Sequence, residues 1–199
     1  MTKVFPLLSR VLHWLMAALI IAMLFIGIAM VTSLADYHSL VAVHRPLGIL
    51  ILVFAAIRLL NRLFNPPPPL PEGMPLLLRL PAHVSHYLLY ALMFALPLVG
   101  WSMLSAAGYP IALAGSLHLP PILPHSDTLY AVLRPLHTAL AFLLFAIVLA
   151  HVGAALMHAL IFRDGVFESM VVRRMAPSVR GASGTSGHAR PVQPKKSLG

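Results

Sequence analysis

The fifteen residues from His137 to His151 read HTALAFLLFAIVLAH and carry no charge between their two histidines. On an α-helix, a step of fourteen residues covers about 21 Å along the axis and just under four turns, so both rings point toward nearly the same face. The apolar residues between the rings suit the interior of a bilayer. The pattern predicts a membrane-spanning helix that carries two sites stacked along one face.

The whole chain shares this apolar character. It has 199 residues, of which 59% are hydrophobic and 10% charged, and its mean hydropathy is +0.88. These values lie far outside the range of soluble domains. A bilayer crossing needs about 20 residues, and four stretches reach that length: 11–31, 44–62, 83–105 and 137–162. We therefore predict an all-α fold, an integral membrane four-helix bundle. The first stretch also resembles a signal peptide, but it exceeds the usual apolar core of about 7–15 residues.

The distribution of lysine and arginine predicts the orientation in the membrane. Arg45 and Arg134 lie at one side of the predicted helices, and the other basic residues lie at the opposite side. These others are Lys3, Arg10, Arg58, Arg62, Arg79, Arg163, Arg173, Arg174, Arg180, Arg190, Lys195 and Lys196. Both termini are thus expected to be cytoplasmic, in a multi-pass membrane protein. This orientation, with contact to anionic lipid, accounts for the net charge of +9, and no nucleic acid partner is expected.

The connections and the tail divide the chain further. Residues 1–172 are predicted to form the membrane domain, and residues 173–199 a basic, disordered cytoplasmic tail rich in Gly, Ser and Pro. The segment NPPPPLPEGMP predicts a stiff connector of about 20 residues between helices 2 and 3. The outer connection is expected to hold a short helix over 127–133, before Pro135. The chain has no cysteine, so any haem is bound without a thioether link.

Several of the eleven histidines are predicted to lie at membrane depth, where ionisable groups usually mark function. His44 and His137 match in depth near the outer surface, and His151 lies near the inner surface. Two neutral imidazoles on facing helices can supply both axial bonds to a haem iron. Depth allows His13, His83 or His86 as the partner of His151, and spacing alone does not decide among them. A histidine-lined metal transporter is disfavoured, because the acidic residues all lie in connections or at helix ends.

Four motifs resemble the bacterial cytochrome b561 family, and the similarity covers about residues 5–170. They are RVLHWLM, VHRPLGILILVFAAIRLLNRLFNPPPP, AHVSHYLLYALMFALPLVGWSM and LHTALAFLLFAIVLAHVGAALMHALIFRDG. In that family, four helices hold two b-type haems through histidines on helices 1, 2 and 4. The resemblance implies His13 and His151 as ligands of the inner haem and His44 and His137 as ligands of the outer one. It thereby selects His13 over His83 and His86.

The resemblance also implies a function: oxidation of periplasmic superoxide coupled to reduction of ubiquinone. Other relatives act as cytochrome b subunits that link a dehydrogenase or hydrogenase to the quinone pool, so a redox partner protein is the alternative. Arg45 and Arg134 are expected to steer superoxide or to pair with haem propionates. Arg58 and Arg62 are candidates for contacts with the inner propionates. His158 is expected to donate a proton to ubiquinone.

Overall fold

The computed structural model describes residues 5–66, 76–114 and 117–171. Four long helices follow one another: α1 (Leu7–Thr32), α2 (Tyr37–Phe64), α3 (Leu76–Ala106) and α4 (Asp127–Met157). A two-stranded hairpin of β1 (Ile111–Ala114) and β2 (Leu117–Leu119) lies between α3 and α4. A π-helical turn (His158–Phe162) and the short helix α5 (Val166–Val171) follow α4. All four long helices are long and apolar enough to cross a membrane, which confirms the predicted four-helix membrane fold.

The helices extend beyond their predicted ends, chiefly because proline interrupts them less than expected. The separate short helix predicted over 127–133 is wrong, since this segment is the first part of α4 and Pro135 lies inside that helix. The Ser126 side chain caps the helix by accepting a hydrogen bond from the backbone N–H of Leu129. A proline near the start of a helix removes few backbone hydrogen bonds. The apolar residues that follow stay helical, because a membrane-spanning segment must satisfy its backbone groups internally. The proline-rich connector is also shorter than predicted, because α3 already begins at Leu76.

The four long helices differ in how closely their backbones approach one another. Among the described residues, α3 packs along α4, α1 packs along α2, and α2 borders α3, whereas the backbones of α1 and α2 do not approach α4 closely. A central apolar layer joins all four helices. It consists of Met16, Ile20, Ile51, Ala55, Leu92, Met93, Leu96 and Leu144. Leu144 lies seven residues from both His137 and His151, so this layer separates the two histidine levels.

A hairpin that the sequence did not predict packs at the end of the bundle where α2 begins and α3 ends. We call this end the outer end and the opposite one the inner end. The strands are antiparallel, with Ile111 opposite Leu119, and β1 contacts α2 and α3. The loop after the hairpin is fastened to α3. The indole N–H of Trp101 donates to the Pro120 carbonyl at 3.0 Å, and the backbone N–H of Ile122 donates to the Ser105 hydroxyl at 3.1 Å.

At the inner end, α5 folds back onto the start of α1. The Arg10 guanidinium donates to the carbonyls of Met170 and Val171, at 3.3 and 2.7 Å, and the Trp14 indole donates to Met170 at 3.2 Å. These bonds occupy carbonyls at the end of α5. The predicted disordered tail over 173–199 lies outside the described residues, as do Lys3 and the basic residues of the tail that entered the orientation prediction.

Candidate functional site

The outer histidine pair joins α2 to α4. The ring centres of His44 and His137 are 6.2 Å apart, and their planes cross at 69°. Nδ1 of each ring and Nε of the neighbouring Arg45 are buried, and none of the three has a hydrogen bond partner among the described residues. The His137 ring faces the backbone of Leu96 without reaching hydrogen-bond geometry. Buried polar atoms without partners are rare in native proteins, so this cluster fits a site that takes a ligand.

The inner pair joins α1 to α4 with almost the same geometry. The ring centres of His13 and His151 are 6.3 Å apart, and their planes cross at 68°. His86 of α3 also lies beside His151, but with its ring centre only 5.4 Å away. His83, the other candidate partner in the sequence, is exposed near the start of α3. The structure therefore brings His13, His86 and His151 together at one level.

The distances between ring centres test whether a haem iron fits between the rings. A metal–imidazole bond is about 2 Å long, so two such bonds in line across one metal place the ring centres about 6 Å apart. The pairs His44–His137 and His13–His151 match this separation, whereas the shorter His86–His151 distance leaves too little room. The residues present thus fit b-type haem at both levels.

Gly100 allows α3 to approach His137 of the outer pair closely, because it has no side chain. A Cβ atom added to Gly100 would lie 3.3 Å from Cε1 and 3.6 Å from Nδ1 of His137. The first distance is tighter than ordinary van der Waals contact, so the ring would have to shift. The sequence did not predict a role for Gly100, because a single glycine in a helix does not indicate which residue of a neighbouring helix lies against it.

Arg58 and Arg62 lie together at the inner end of α2, on the ring of Tyr90 from α3. Arg58 donates through Nε to the Tyr90 hydroxyl at 3.2 Å, and its Nη2 lies 3.0 Å from Nδ1 of His13. The Arg62 guanidinium lies 5.5 Å from the centre of the Tyr90 ring, within the range of a cation–π contact. The guanidinium group of Arg58 thus lies beside His13 of the inner pair. Tyr90 is a member of this cluster that the sequence did not reveal.

The two outer arginines occupy different environments. Arg45 is half-buried, and its Nη1 donates to the Pro110 carbonyl at 3.5 Å, just before the hairpin. Arg134 is exposed and lines an open groove of about 460 Å³ on α4, together with Pro135, Thr138, Ala139 and Phe142. Arg45 adjoins His44 in sequence and Arg134 lies one turn before His137, so both remain near the outer level.

His158 opens the π-helical turn at the inner end of α4. Its Nδ1 lies 2.6 Å from Oδ2 of Asp164, and the two side chains are only 12% and 21% exposed. Oδ1 of Asp164 accepts a hydrogen bond from the backbone N–H of Val166 at 3.1 Å. The sequence pointed to His158 but not to Asp164, which appeared there as one of several acidic residues at helix ends.

Comparisons with known proteins show which family the chain resembles. The family model described as prokaryotic cytochrome b561 matches residues 4–172. "Cytochrome b561 homolog 2" of Escherichia coli (strain K12) is 33% identical over 171 residues, which cover 84% of this chain and 90% of the relative. "Probable superoxide oxidase CybB" of Yersinia pestis is 31% identical over 187 residues, covering 91% of this chain and all of the relative. "Cytochrome b561 homolog 1" of Escherichia coli (strain K12) is 31% identical over 93 residues, about half of each chain.

Proposed function

Because the chain belongs to the prokaryotic cytochrome b561 family, we propose that it binds two b-type haems and transfers electrons from periplasmic superoxide to ubiquinone. The family consists of membrane electron-transfer cytochromes that bind b-type haem. The observation that carries the proposal is the pair of matched histidine sites, with ring centres 6.2 and 6.3 Å apart. They lie one above the other along α4, with the apolar layer around Leu144 between them.

His44 and His137 would hold the outer haem, and His13 and His151 the inner one. When bound, the haems supply reversible one-electron transfer. The protein's own contribution is to present neutral imidazoles, exclude water from the layer between the two levels, and place charged side chains at both ends. Because the chain has no cysteine, no thioether link would retain the haems, and the imidazoles and other noncovalent contacts would hold them.

Two observations support superoxide as the electron donor: positive charge near the outer pair and the name of one relative. Arg45 and Arg134 are the arginines nearest the outer pair along the chain, and positive charge at an opening attracts an anionic substrate and raises its rate of encounter. The same guanidinium groups would suit haem propionates. The relative named "Probable superoxide oxidase CybB", matched along its full length, supports superoxide as the electron donor.

At the inner end, Arg58 supports the assignment of the propionates. An imidazole that binds a metal through Nε2 normally carries its proton on Nδ1. Nδ1 of His13 could then no longer accept a hydrogen bond from Arg58, and the guanidinium would turn to another acceptor. A propionate oxygen is a suitable one, and Arg62 lies one turn away.

Ubiquinone reduction also needs protons, and His158 is the proposed donor. It lies seven residues beyond His151, about 10 Å further along the axis and on the same face. Imidazole is suited to proton transfer near neutral pH. The proposal thus assigns electron entry to the outer level and quinone reduction to the inner level.

The proposed location is the bacterial inner membrane, with both termini in the cytoplasm. Arg10, Arg58, Arg62 and Arg163 lie at the end of the bundle that holds α5, and Arg45 and Arg134 lie at the hairpin end. This imbalance supports a cytoplasmic position for the α5 end.

The test is anaerobic mixing of the purified protein with superoxide and a soluble ubiquinone analogue, while the haem absorption bands are followed. We expect sharp reduced bands from two low-spin b-type haems per chain, quinol formation that superoxide dismutase abolishes, and a rate that falls with added salt. A colourless protein would refute the haem assignment. Two haems without superoxide-driven turnover would instead favour a separate dehydrogenase or hydrogenase as the electron donor.

A further inference from the structure

The backbone beyond α4 is shaped so that Asp164 reaches His158. In a regular α-helix, residues six apart point about 120° away from each other and cannot touch. Here the π-helical turn His158–Phe162 widens the helix, and Arg163 adopts left-handed backbone angles with φ of 49°. These two departures turn the chain back on itself and bring the Asp164 carboxylate to the ring. Such π-turns occur frequently at functional sites.

The contacts of Asp164 determine which nitrogen of His158 carries a proton. A carboxylate only accepts hydrogen bonds, so Nδ1 at 2.6 Å must be the donor. The other carboxylate oxygen is held by the backbone N–H of Val166, which fixes the orientation of Asp164. With Nδ1 so occupied, Nε2 is the atom of His158 that can gain or lose a proton. A carboxylate behind an imidazole orients the ring in this way and selects its tautomer.

We propose that Asp164 is a positioning residue for quinone reduction, which holds the proton of His158 on Nδ1 and makes Nε2 the proton donor. The inference rests on the function proposed above. Reduction of a quinone consumes two electrons and two protons. In the proposed function two superoxide ions each give one electron and become O2. In the proposed step the Nε2–H bond of His158 breaks and an O–H bond forms at one quinone oxygen. His158 then regains a proton from water at the inner surface, and water supplies the proton for the other oxygen.

The chain contains a second histidine–aspartate pair that serves as a matched control. His125 and Asp127 lie 3.8 Å apart at the outer end, with side chains 65% and 95% exposed. An exposed pair at that distance contributes little. Asp127→Asn removes the same charge as Asp164→Asn but leaves the inner end untouched.

The experiment uses the two-haem protein in nanodiscs and measures reoxidation of the reduced haem bands by a soluble ubiquinone analogue. Asp164→Asn should lower the maximal rate about tenfold or more and leave the KM for quinone within about twofold of the wild type. His158→Gln should lower the rate to a similar extent, and the double variant should lose no more, since the two residues act as a unit. Asp164→Glu should restore part of the rate. Asp127→Asn should behave as the wild type.

A second readout does not depend on turnover. In reduced protein with ¹⁵N-labelled histidine, the His158 resonances are identified by their loss in His158→Gln. We expect a proton on Nδ1 in the wild type and loss of that preference in Asp164→Asn. An unchanged rate or an unchanged Nδ1 signal in Asp164→Asn would overturn the inference. If Asp164→Asn loses its haem bands, the rate and the Nδ1 signal are both measured in Asp164→Glu instead. A wild-type rate in Asp164→Glu without a proton on Nδ1 of His158 would also overturn the inference. If the wild type does not reduce quinone, the proposed function fails, whereas the NMR result still judges the role of Asp164.

Discussion

Gly100 shows how a residue without a side chain shapes the outer site. His137 occupies the space that a Cβ atom at this position would need. Gly100→Ala should therefore displace the ring by a few tenths of an ångström, and overpacking of this kind typically costs about 1–3 kcal/mol. We expect an altered electron paramagnetic resonance signal or a reduced content of the outer haem, with the inner haem unchanged.

The matched control for Gly100 is Gly27→Ala on α1, where an added Cβ would meet nothing within 4 Å. This variant should keep both haem signals, and Gly100→Val should disturb the outer site more than Gly100→Ala does. Wild-type signals in both Gly100 variants would show that the ring is not held against α3.

At the residue scale, three of the four proposed ligands follow from spacing and depth in the helices. The interval between His137 and His151 fixes two levels on α4, and depth then points to His44. The inner partner required the family resemblance. Tyr90 and Asp164 could not be predicted, because each contact depends on how a second segment lies against the first. Tyr90 meets Arg58 through the register of α3 on α2, and Asp164 meets His158 through an irregular turn.

At the scale of elements, a polar link joins the inner ends of α1 and α2. Asn61 is 9% exposed. Its Nδ2 donates to the Ser9 hydroxyl at 2.7 Å, and its Oδ1 accepts from Nδ2 of Asn65 at 3.1 Å. Hydrogen bonds between membrane helices contribute about 0.6 kcal/mol on average and up to about 2 kcal/mol. This link is thus a measurable part of the α1–α2 contact.

Asn61→Ala and Ser9→Ala should each lower the free energy of unfolding by about 1 kcal/mol, since each removes one side of the same bond. The losses should not be additive in the double variant. The measurement is a double-mutant cycle of unfolding in mixed micelles. Thr32→Val is the control, because the Thr32 hydroxyl donates to the carbonyls of Ile28 and Ala29 in its own helix. This variant should change the free energy of unfolding by less than about 0.5 kcal/mol. Additive losses for Asn61 and Ser9 would mean that their hydrogen bond contributes nothing.

The helices themselves were predictable from length and hydropathy, but their ends were not. Pro135 was expected to separate a short helix from the membrane span, whereas α4 begins at Asp127 after the Ser126 cap and continues through the proline. The hairpin was missed because IALAGSLHL combines short apolar runs with no strict alternation. Its stability comes from packing on α2 and α3, which local sequence does not encode.

At the scale of the whole molecule, the two histidine levels are separate sites in one bundle. The apolar layer between them draws residues from all four long helices, so the helices remain packed when either level is altered. In the proposed assignment α4 contributes one ligand to each level, and α1 and α2 contribute one each. Loss of one ligand should therefore empty one level and leave the other intact.

The haem content of alanine variants tests this division. His44→Ala or His137→Ala should lose the outer haem, and His13→Ala or His151→Ala the inner one, because a site with one axial imidazole holds its cofactor weakly when no covalent link exists. Haem per chain should fall from two to one in each variant, as measured by the pyridine haemochrome assay. His38 is an exposed histidine at the outer end, and His38→Ala should keep both haems.

His86→Ala tests the inner pairing, because the His86 ring is closer to His151 than the His13 ring is. Two haems in His13→Ala with one in His86→Ala would assign the inner ligand to α3 and contradict the in-line geometry argued from the ring distances.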